Sequence, residues 1–251
     1  MIELQNINVI LNKGTNLENH ILKDINLKIH DGEFVTVIGG NGAGKSTLMN
    51  LLSGDIFPST GKIIINGIDV TNIPTVKRSK IVTRVFQDPT IGTYSDLTIE
   101  ENMSIAYKRG QTRCLDLSIN DELRKKFANA VSELGMDIET RLDSKVSVLS
   151  GGQRQALSLI MATMQESKIL LLDEHTAALD PKIAKLIMNA TAHIITKRKL
   201  TALMVTHSMT QALQYGNRTI MMYHGKLVKD MSGHDREKLS AEDLVKYFDL
   251  C

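Results

Sequence analysis

Cysteine is nearly missing from the chain: among 251 residues only Cys114 and Cys251 occur, so there is no disulfide framework and no C-x-x-C metal or redox pair. A reducing compartment suits such a sequence. No apolar run approaches the roughly 18 residues of a membrane span, and the start Met1-Ile2-Glu3-Leu4-Gln5-Asn6 lacks the basic end and apolar centre of a secretory signal. The expectation is a chain that does not enter a membrane alone. An excess of either charge is missing too, with 30 Lys+Arg against 28 Asp+Glu and a formal net charge of +2. Without a long Lys/Arg block there is little electrostatic reason to bind duplex nucleic acid or an anionic membrane surface directly. No direct nucleic-acid partner is therefore expected. Internal repeats and low-complexity tracts are absent, and no Phe, Tyr or Trp precedes Phe34.

What is present is an ordinary globular composition, 42% hydrophobic. At roughly 150 residues per domain, the length predicts one large α/β domain or a core with a smaller subdomain. Such a chain buries about three quarters of its unfolded surface.

Ile2–Leu11 and Ile21–Ile29 read as antiparallel strands separated by a polar, Gly-containing stretch. Phe34-Val35-Thr36-Val37-Ile38 is a short, β-branched apolar run ending abruptly in glycines, the pattern of a buried strand feeding a loop. A helix is predicted over Lys45–Ser53, closed by Gly54. Lys62–Ile68 predicts a hairpin turning at Asn66-Gly67. Ile81–Phe86 reads as another strand, after which the chain turns helical.

Asn120 or Asp121 can cap a helix whose apolar positions Leu123, Phe127, Val131 and Leu134 recur every three or four residues until Gly135. A second helix is predicted over about Gly152 to Gln165. Residues 90–165 are thus expected to form a helix-rich subdomain inserted in the core, within one domain spanning 1–251. Strand and helix then alternate: Ile169–Leu172, a helix from Pro181 with Asp180 as cap, and Ala202–Val205 before a helix capped by Ser208. That alternation predicts a parallel sheet with crossover helices. Thr219–Tyr223 and Lys226–Asp230 form a hairpin around His224-Gly225, and a last amphipathic helix starts at Ser240-Ala241-Glu242-Asp243.

The segment Gly39-Gly40-Asn41-Gly42-Ala43-Gly44-Lys45-Ser46-Thr47 fits G-x-x-x-x-G-K-[ST] between a predicted strand and helix, the context this phosphate-binding motif requires. Backbone N–H groups would cradle the phosphates, Lys45 would reach the β and γ oxygens, and Ser46 would bind Mg²⁺. Hydrolysis also needs a carboxylate for the metal and a group that orients water. Ile169-Leu170-Leu171-Leu172-Asp173-Glu174 supplies both at a strand end, so Asp173 is expected on Mg²⁺, directly or through water, and Glu174 as general base. Gln87 and His207 likewise follow strands. In open parallel sheets ligands bind beyond the strands' carboxyl ends, so all these polar groups share one rim. The fold class expected is α/β: a P-loop NTPase core with a mostly parallel sheet, an N-terminal antiparallel β region and a helical subdomain.

Leu149-Ser150-Gly151-Gly152-Gln153 matches the L-S-G-G-Q signature of the ATP-binding cassette (ABC) ATPases, 149 − 44 = 105 residues after the last P-loop glycine and 173 − 149 = 24 before the acidic pair. Over essentially the whole chain the order of motifs resembles that family. The resemblance implies that Ser150, Gly151, Gly152 and Gln153 act in trans, two protomers pairing head to tail with two ATP molecules between one P-loop and the other signature. It further implies that His207 holds the γ-phosphate and orients Glu174, that Gln87 contacts Mg²⁺ or water and senses a partner subunit, and that Asp180 bridges protomers. Ser150 is also suited to cap its own helix.

Two positions depart from the family pattern. An aromatic residue usually stacks on adenine from the first strand region, where Leu11 stands here. His175 follows Glu174 where most relatives carry proline, and it is expected to pack rather than react.

The resemblance implies the ATPase subunit of a membrane transporter whose membrane-spanning subunits are separate chains and dock around Gln87-Asp88-Pro89 and the helical subdomain. The single compact cassette is similar to those of bacterial importers, which use an extracytoplasmic substrate-binding protein, and the Asp-Glu-His-Thr-Ala-Ala-Leu-Asp-Pro run resembles some amino-acid uptake ATPases. Such a subunit sits peripherally on the cytoplasmic face of the cell membrane. Two alternatives are a soluble ABC ATPase acting on nucleic acid or ribosomes, and a regulatory subunit of low activity. Tandem cassettes or a long coiled-coil insertion would mark the first, and neither fits 251 residues with this spacing. Glu174 and His207 argue against the second.

Overall fold

Strands in this protein fall into two groups with different burial patterns, and the two groups build two sheets. The structure, a computed structural model, describes residues 1–111 and 119–249, so both cysteines lie outside the described residues. In chain order the elements are β1 (Ile2–Leu11), β2 (Asn19–Ile29), β3 (Phe34–Gly39), α1 (Lys45–Ser53), β4 (Thr60–Ile65), β5 (Ile68–Asp69), α2 (Thr75–Arg78), β6 (Val82–Val85), α3 (Ile99–Tyr107), α4 (Asp121–Ser132), α5 (Gly151–Thr163), β7 (Ile169–Asp173), α6 (Pro181–Arg198), β8 (Ala202–Val205), α7 (Met209–Gln214), β9 (Arg218–Tyr223), β10 (Lys226–Ser232), α8 (Gly233–Glu237) and α9 (Ala241–Asp249). Among the described residues no helix is long and apolar enough to cross a membrane.

β2, β1, β4 and β5 form a four-stranded antiparallel sheet in that order. The predicted hairpin is there, with Asn66 at φ 50° and Gly67 at φ 77° supplying the two left-handed residues such a tight turn needs. A six-stranded sheet runs β10-β9-β3-β8-β7-β6. Its strands β9, β3, β8, β7 and β6 are parallel, and only β10 joins antiparallel. This matches the mostly parallel core expected from the sequence.

The parallel strands bury both faces, as crossover helices require. Ile169, Leu171, Leu203 and Val205 pack with α1 and the antiparallel sheet, whereas Leu170, Leu172, Ala202 and Met204 pack with residues of α3 to α6. Alternation along each strand thus assigns its side chains to two cores.

Between β6 and β7 lie α3, α4 and α5, the first of which no sequence pattern above had singled out. Its start is a capping box in which Thr98 accepts from the Glu101 amide and the Glu101 side chain accepts from the Thr98 amide. Asn120, rather than Asp121, caps α4 through its side chain. Gly54 ends α1 at φ 84°, its amide reaching Asn50 and Leu51 carbonyls.

Candidate nucleotide site

Four parallel strands deliver their carboxyl ends to one rim: β3 runs into the glycine loop, β8 leads to His207, β7 ends in Asp173 before Glu174, and β6 leads to Gln87. The loop itself requires glycine. Gly42 and Gly44 have φ of 75° and 99°, and a Cβ at Gly39 would lie 2.7 Å from the Met222 carbonyl oxygen. Gly44 is the residue before α1, so the loop's amides open at a helix N-terminus, a favourable place for anions.

A cavity of about 390 Å³ lies against this loop, lined by Asn41, Gly42, Ala43, Gly44, Lys45, Ser46 and Thr47 together with Glu174 and His207. Lys45 is buried, and its ammonium donates to the carbonyls of Gly39 at 2.8 Å and Gly40 at 3.0 Å. Burial holds that ammonium below the ordinary lysine range, opposed by the fields of Glu174 and then Asp173. An ammonium so poised favours an arriving polyanion.

Glu174 adopts φ 44°, a left-handed conformation uncommon for a side-chain-bearing residue. Its amide donates to the Val205 carbonyl, and its Oε1 stands 2.7 Å from His207 Nε2. Adjacent strands β7 and β8 thereby bring together the two groups predicted to handle water.

Asp173 does not line the cavity; its Oδ2 pairs with Arg84 Nη2 at 2.5 Å, the two side chains only 14% and 11% exposed. Arg84 rises from β6, also donates to Asn50 Oδ1 at 2.7 Å, and stacks over the Phe86 ring at 4.8 Å. Sequence reading did not single out Arg84. Gln87 is exposed beyond β6 and does not line the cavity. Among the described residues no group of three His, Cys, Asp or Glu could hold a metal ion. Of the three side chains proposed for Mg²⁺ only Ser46 lines the cavity, so the ion would complete its shell there with phosphate oxygens and water, the usual habit of Mg²⁺.

Ser150, Gly151, Gly152 and Gln153 stand apart from this cavity at the start of α5. Ser150 accepts from the Gln153 amide in a second capping box, and Gly152 packs so closely on α6 that a Cβ would meet Ile183 Cγ2 at 2.5 Å. Asp180 caps α6, accepting from the Ile183 amide at 3.1 Å. The N-terminal half of α5 also grips the segment around Gln87: Gln155 donates to the Phe86 carbonyl at 3.0 Å, and Arg154 donates to Thr93 at 2.6 Å and Ser95 at 2.7 Å.

His175, by contrast, is fully enclosed beneath the site. Its Nε2 lies 3.1 Å from Thr191 Oγ1, and burial pushes its pKa down to about 4. A neutral imidazole bonded to a threonine of α6 is a packing residue, as the sequence led us to expect.

A phosphate-binding loop between a parallel strand and a helix, with a carboxylate at the end of a neighbouring strand, defines the P-loop NTPases. Comparison with known proteins sharpens the class: the family described as ABC transporter matches residues 22–177. A relative named "Tyrosine transport ATP-binding protein" in Clostridioides difficile (strain R20291) is 42% identical over 252 residues, covering 99% of both chains. The "Energy-coupling factor transporter ATP-binding protein EcfA2" of Clostridium tetani (strain Massachusetts / E88) is 34% identical over 91% of this chain and 78% of its own length. Among solved structures, the dimeric ATP-binding cassette MJ0796, in a post-hydrolysis state bound to ADP and Pi, superposes with a TM-score of 0.79 at 28% identity over 92% of this chain and 98% of its own. A cbiO1 from Clostridium perfringens, described as part of the ABC transporter complex cbiONQ, gives 0.79 at 27% identity over 99% and 94%. The chain belongs to the ABC transporter family, and it is an ATP-binding ATPase with the cassette fold of that family.

Proposed function

We propose that this chain is the ATP-hydrolysing subunit of a bacterial importer, closing head to tail with a second copy around two ATP molecules. The observation that carries the reading is the convergence of Lys45, Glu174 and His207 on one cavity beside the glycine loop. In the reaction, Glu174 takes a proton from water as its oxygen bonds to the γ-phosphorus, the bond to the β–γ bridging oxygen breaks, and ADP leaves with the electron pair. His207 holds the Glu174 carboxylate at the water and donates to a γ-phosphate oxygen. The amides from Gly39 to Thr47 and the Lys45 ammonium bind the phosphate charge. Ser46 and Asp173, with Gln87, would hold Mg²⁺, which when bound neutralises charge on the β and γ oxygens.

Ser150 through Gln153 stand outside their own chain's cavity at the start of a 13-residue helix, which supports their use by a partner's ATP. Asp180 lies exposed beside them for a contact between protomers. In this reading residues 1–251 make one cassette, with residues 90–165 as its helical subdomain. A groove of about 330 Å³ between α3, α5 and β6, walled by Arg84, Phe86, Tyr94, Ile105 and Arg109, is the seat for separate membrane-spanning subunits. The chain then works from the cytoplasmic face of the membrane and receives cargo through an extracytoplasmic substrate-binding protein. The 42% identity to a relative named for tyrosine transport supports amino-acid uptake.

The test is the solution mass of the Glu174→Gln protein by light scattering, with and without Mg-ATP. Doubling of the mass only with Mg-ATP is expected. A mass unchanged at saturating nucleotide, both alone and with co-purified membrane subunits, would refute the head-to-tail dimer.

A further inference from the structure

Arginine is rarely buried unless it is paired, and Arg84, mostly buried in β6, belongs to none of the motifs. Its guanidinium is held on three sides. Nη2 donates to Asp173 Oδ2 at 2.5 Å, Nη1 donates to Asn50 Oδ1 at 2.7 Å and lies 3.3 Å from Asp55 Oδ2, and the Phe86 ring centre lies 4.8 Å from the guanidinium carbon. Asn50 belongs to α1, the helix that opens with Lys45 and Ser46. One side chain of β6 thus ties the end of β7 to the helix of the phosphate loop.

The hold on Asp173 is one-sided. Its Oδ2 is taken by Arg84, whereas its Oδ1 has no hydrogen-bond partner among the described residues. The carboxylate acts on the site all the same: burial lowers the Lys45 ammonium, and of the two charges that oppose this shift Asp173 stands second to Glu174. Arg84 Nε, meanwhile, is buried with no partner, a desolvation cost that nothing nearby offsets. The side chain is set for Nη1 and Nη2 rather than for all five of its donors.

A guanidinium on a metal-binding carboxylate can act in two ways. It can stand in the cation's place and leave when the cation arrives, or it can orient the carboxylate for it. Leaving is opposed here by the contacts to Asn50, Asp55 and Phe86, which keep the mostly buried group where it is. Orientation is what Mg²⁺ needs most, since it demands near-ideal octahedral geometry and keeps several of its waters. Carboxylates that serve metals are in turn fixed by hydrogen bonds from residues that do not touch the ion.

We propose that Arg84 is a positioning residue for the nucleotide's metal: by fixing Oδ2 it holds Asp173 in one orientation and leaves Oδ1 to a divalent cation or to that cation's water. The proposal rests on the nucleotide reading of the cavity and on Asp173 as its metal carboxylate.

The test is the gain that magnesium gives to ATP binding, the ratio of the equilibrium dissociation constants of the whole chain in EDTA and in Mg²⁺. Arg84→Met is expected to shrink that gain by about tenfold or more while leaving binding in EDTA unchanged, which a loosened fold would not do. Arg84→Lys, which keeps a cationic donor for Asp173, returns much of the gain. In Asp173→Asn the gain is already small, and adding Arg84→Met lowers it no further. Asn50→Ala keeps every charge and only loosens the guanidinium; it shrinks the gain as well, and it carries the test if the methionine variant does not fold. An unchanged gain in Arg84→Met, or in Asn50→Ala where the former does not fold, would overturn the proposal. So would an increased gain, which marks a guanidinium competing with the cation, or additive losses in the double variant. A full gain in Asp173→Asn removes Asp173 as the metal carboxylate and Arg84's role with it, whereas a wild type that binds no ATP sinks the nucleotide reading itself.

Discussion

Glu174 Oε1 and His207 Nε2 stand 2.7 Å apart although 33 positions, 207 − 174, separate them in the chain. Strands β7 and β8 are neighbours in register, Asp173 opposite Val205, so Glu174, directly after β7, and His207, two residues after β8, emerge at the same rim. The pair is a product of sheet topology. It is also preformed: the Glu174 backbone is held in its left-handed turn by the Val205 carbonyl whether or not water is there to be oriented.

Replacing Glu174 with Gln removes the proposed proton acceptor while retaining a group of the same size for His207. Steady-state phosphate release should fall by about 10²- to 10⁴-fold, the usual weight of general-base catalysis, with ATP affinity preserved. A variant turning over at the original rate would assign the base elsewhere.

Arg84 and Asp173 predict a stability effect rather than a purely catalytic one. Arg84→Met strands a mostly buried carboxylate and frees Asn50 as well, so unfolding free energy should drop by about 3 kcal/mol in urea titration. Adding Asp173→Asn should restore part of that loss, because the second change removes the unpaired charge. Strict additivity of the two changes would mean that the contact is energetically silent.

His175 makes a prediction about pH. Its native pKa is about 4 against 6.5 for an ordinary imidazole, so between those values the unfolded chain takes up a proton that the folded chain refuses. The contribution is fully present above about pH 6.5, fades as pH falls, and reaches about 3 kcal/mol of lost stability near pH 4. His175→Gln can still bond Thr191 and cannot titrate. Its unfolding free energy should therefore depend less on pH between 4 and 6.5 than the wild type's, and parallel curves for the two proteins would count against this account.

Gly152→Ala tests the contact between the signature and α6. The new methyl would sit 2.5 Å from Ile183 Cγ2, so α5 must shift relative to α6 or Ile183 must turn away. ATP-dependent dimerisation should weaken several-fold, and Ile183→Ala in the same chain should recover much of it by making room. Recovery by Ile183→Ala is the readout that separates a steric effect on Ser150 placement from simple misfolding.

Much of this protein could be read from sequence because its local signals agree with its fold. The bounds of α1, its Gly54 cap and the Asn66-Gly67 turn follow from single residues whose backbone preferences are strong. α3 escaped because its run, Ile99-Glu100-Glu101-Asn102-Met103, mixes charge into a short apolar pattern, although the Thr98 and Glu101 pair that begins it was a usable sign. Arg84 was invisible for another reason. An arginine within a strand reads as facing solvent, and only the parallel register of β6 on β7, Val85 opposite Leu172, carries its side chain to Asp173.

The hydrogen bonds from Lys45 to the carbonyls of Gly39 and Gly40 set an entry requirement for the site. The ammonium has acceptors within its own loop, so binding a ligand there is an exchange of partners. An anionic phosphate oxygen competes with two neutral peptide oxygens for that cation, and a nucleoside without phosphate offers it nothing of the kind. Selection for a phosphorylated ligand thus begins before any contact with the base, in the resting posture of one side chain.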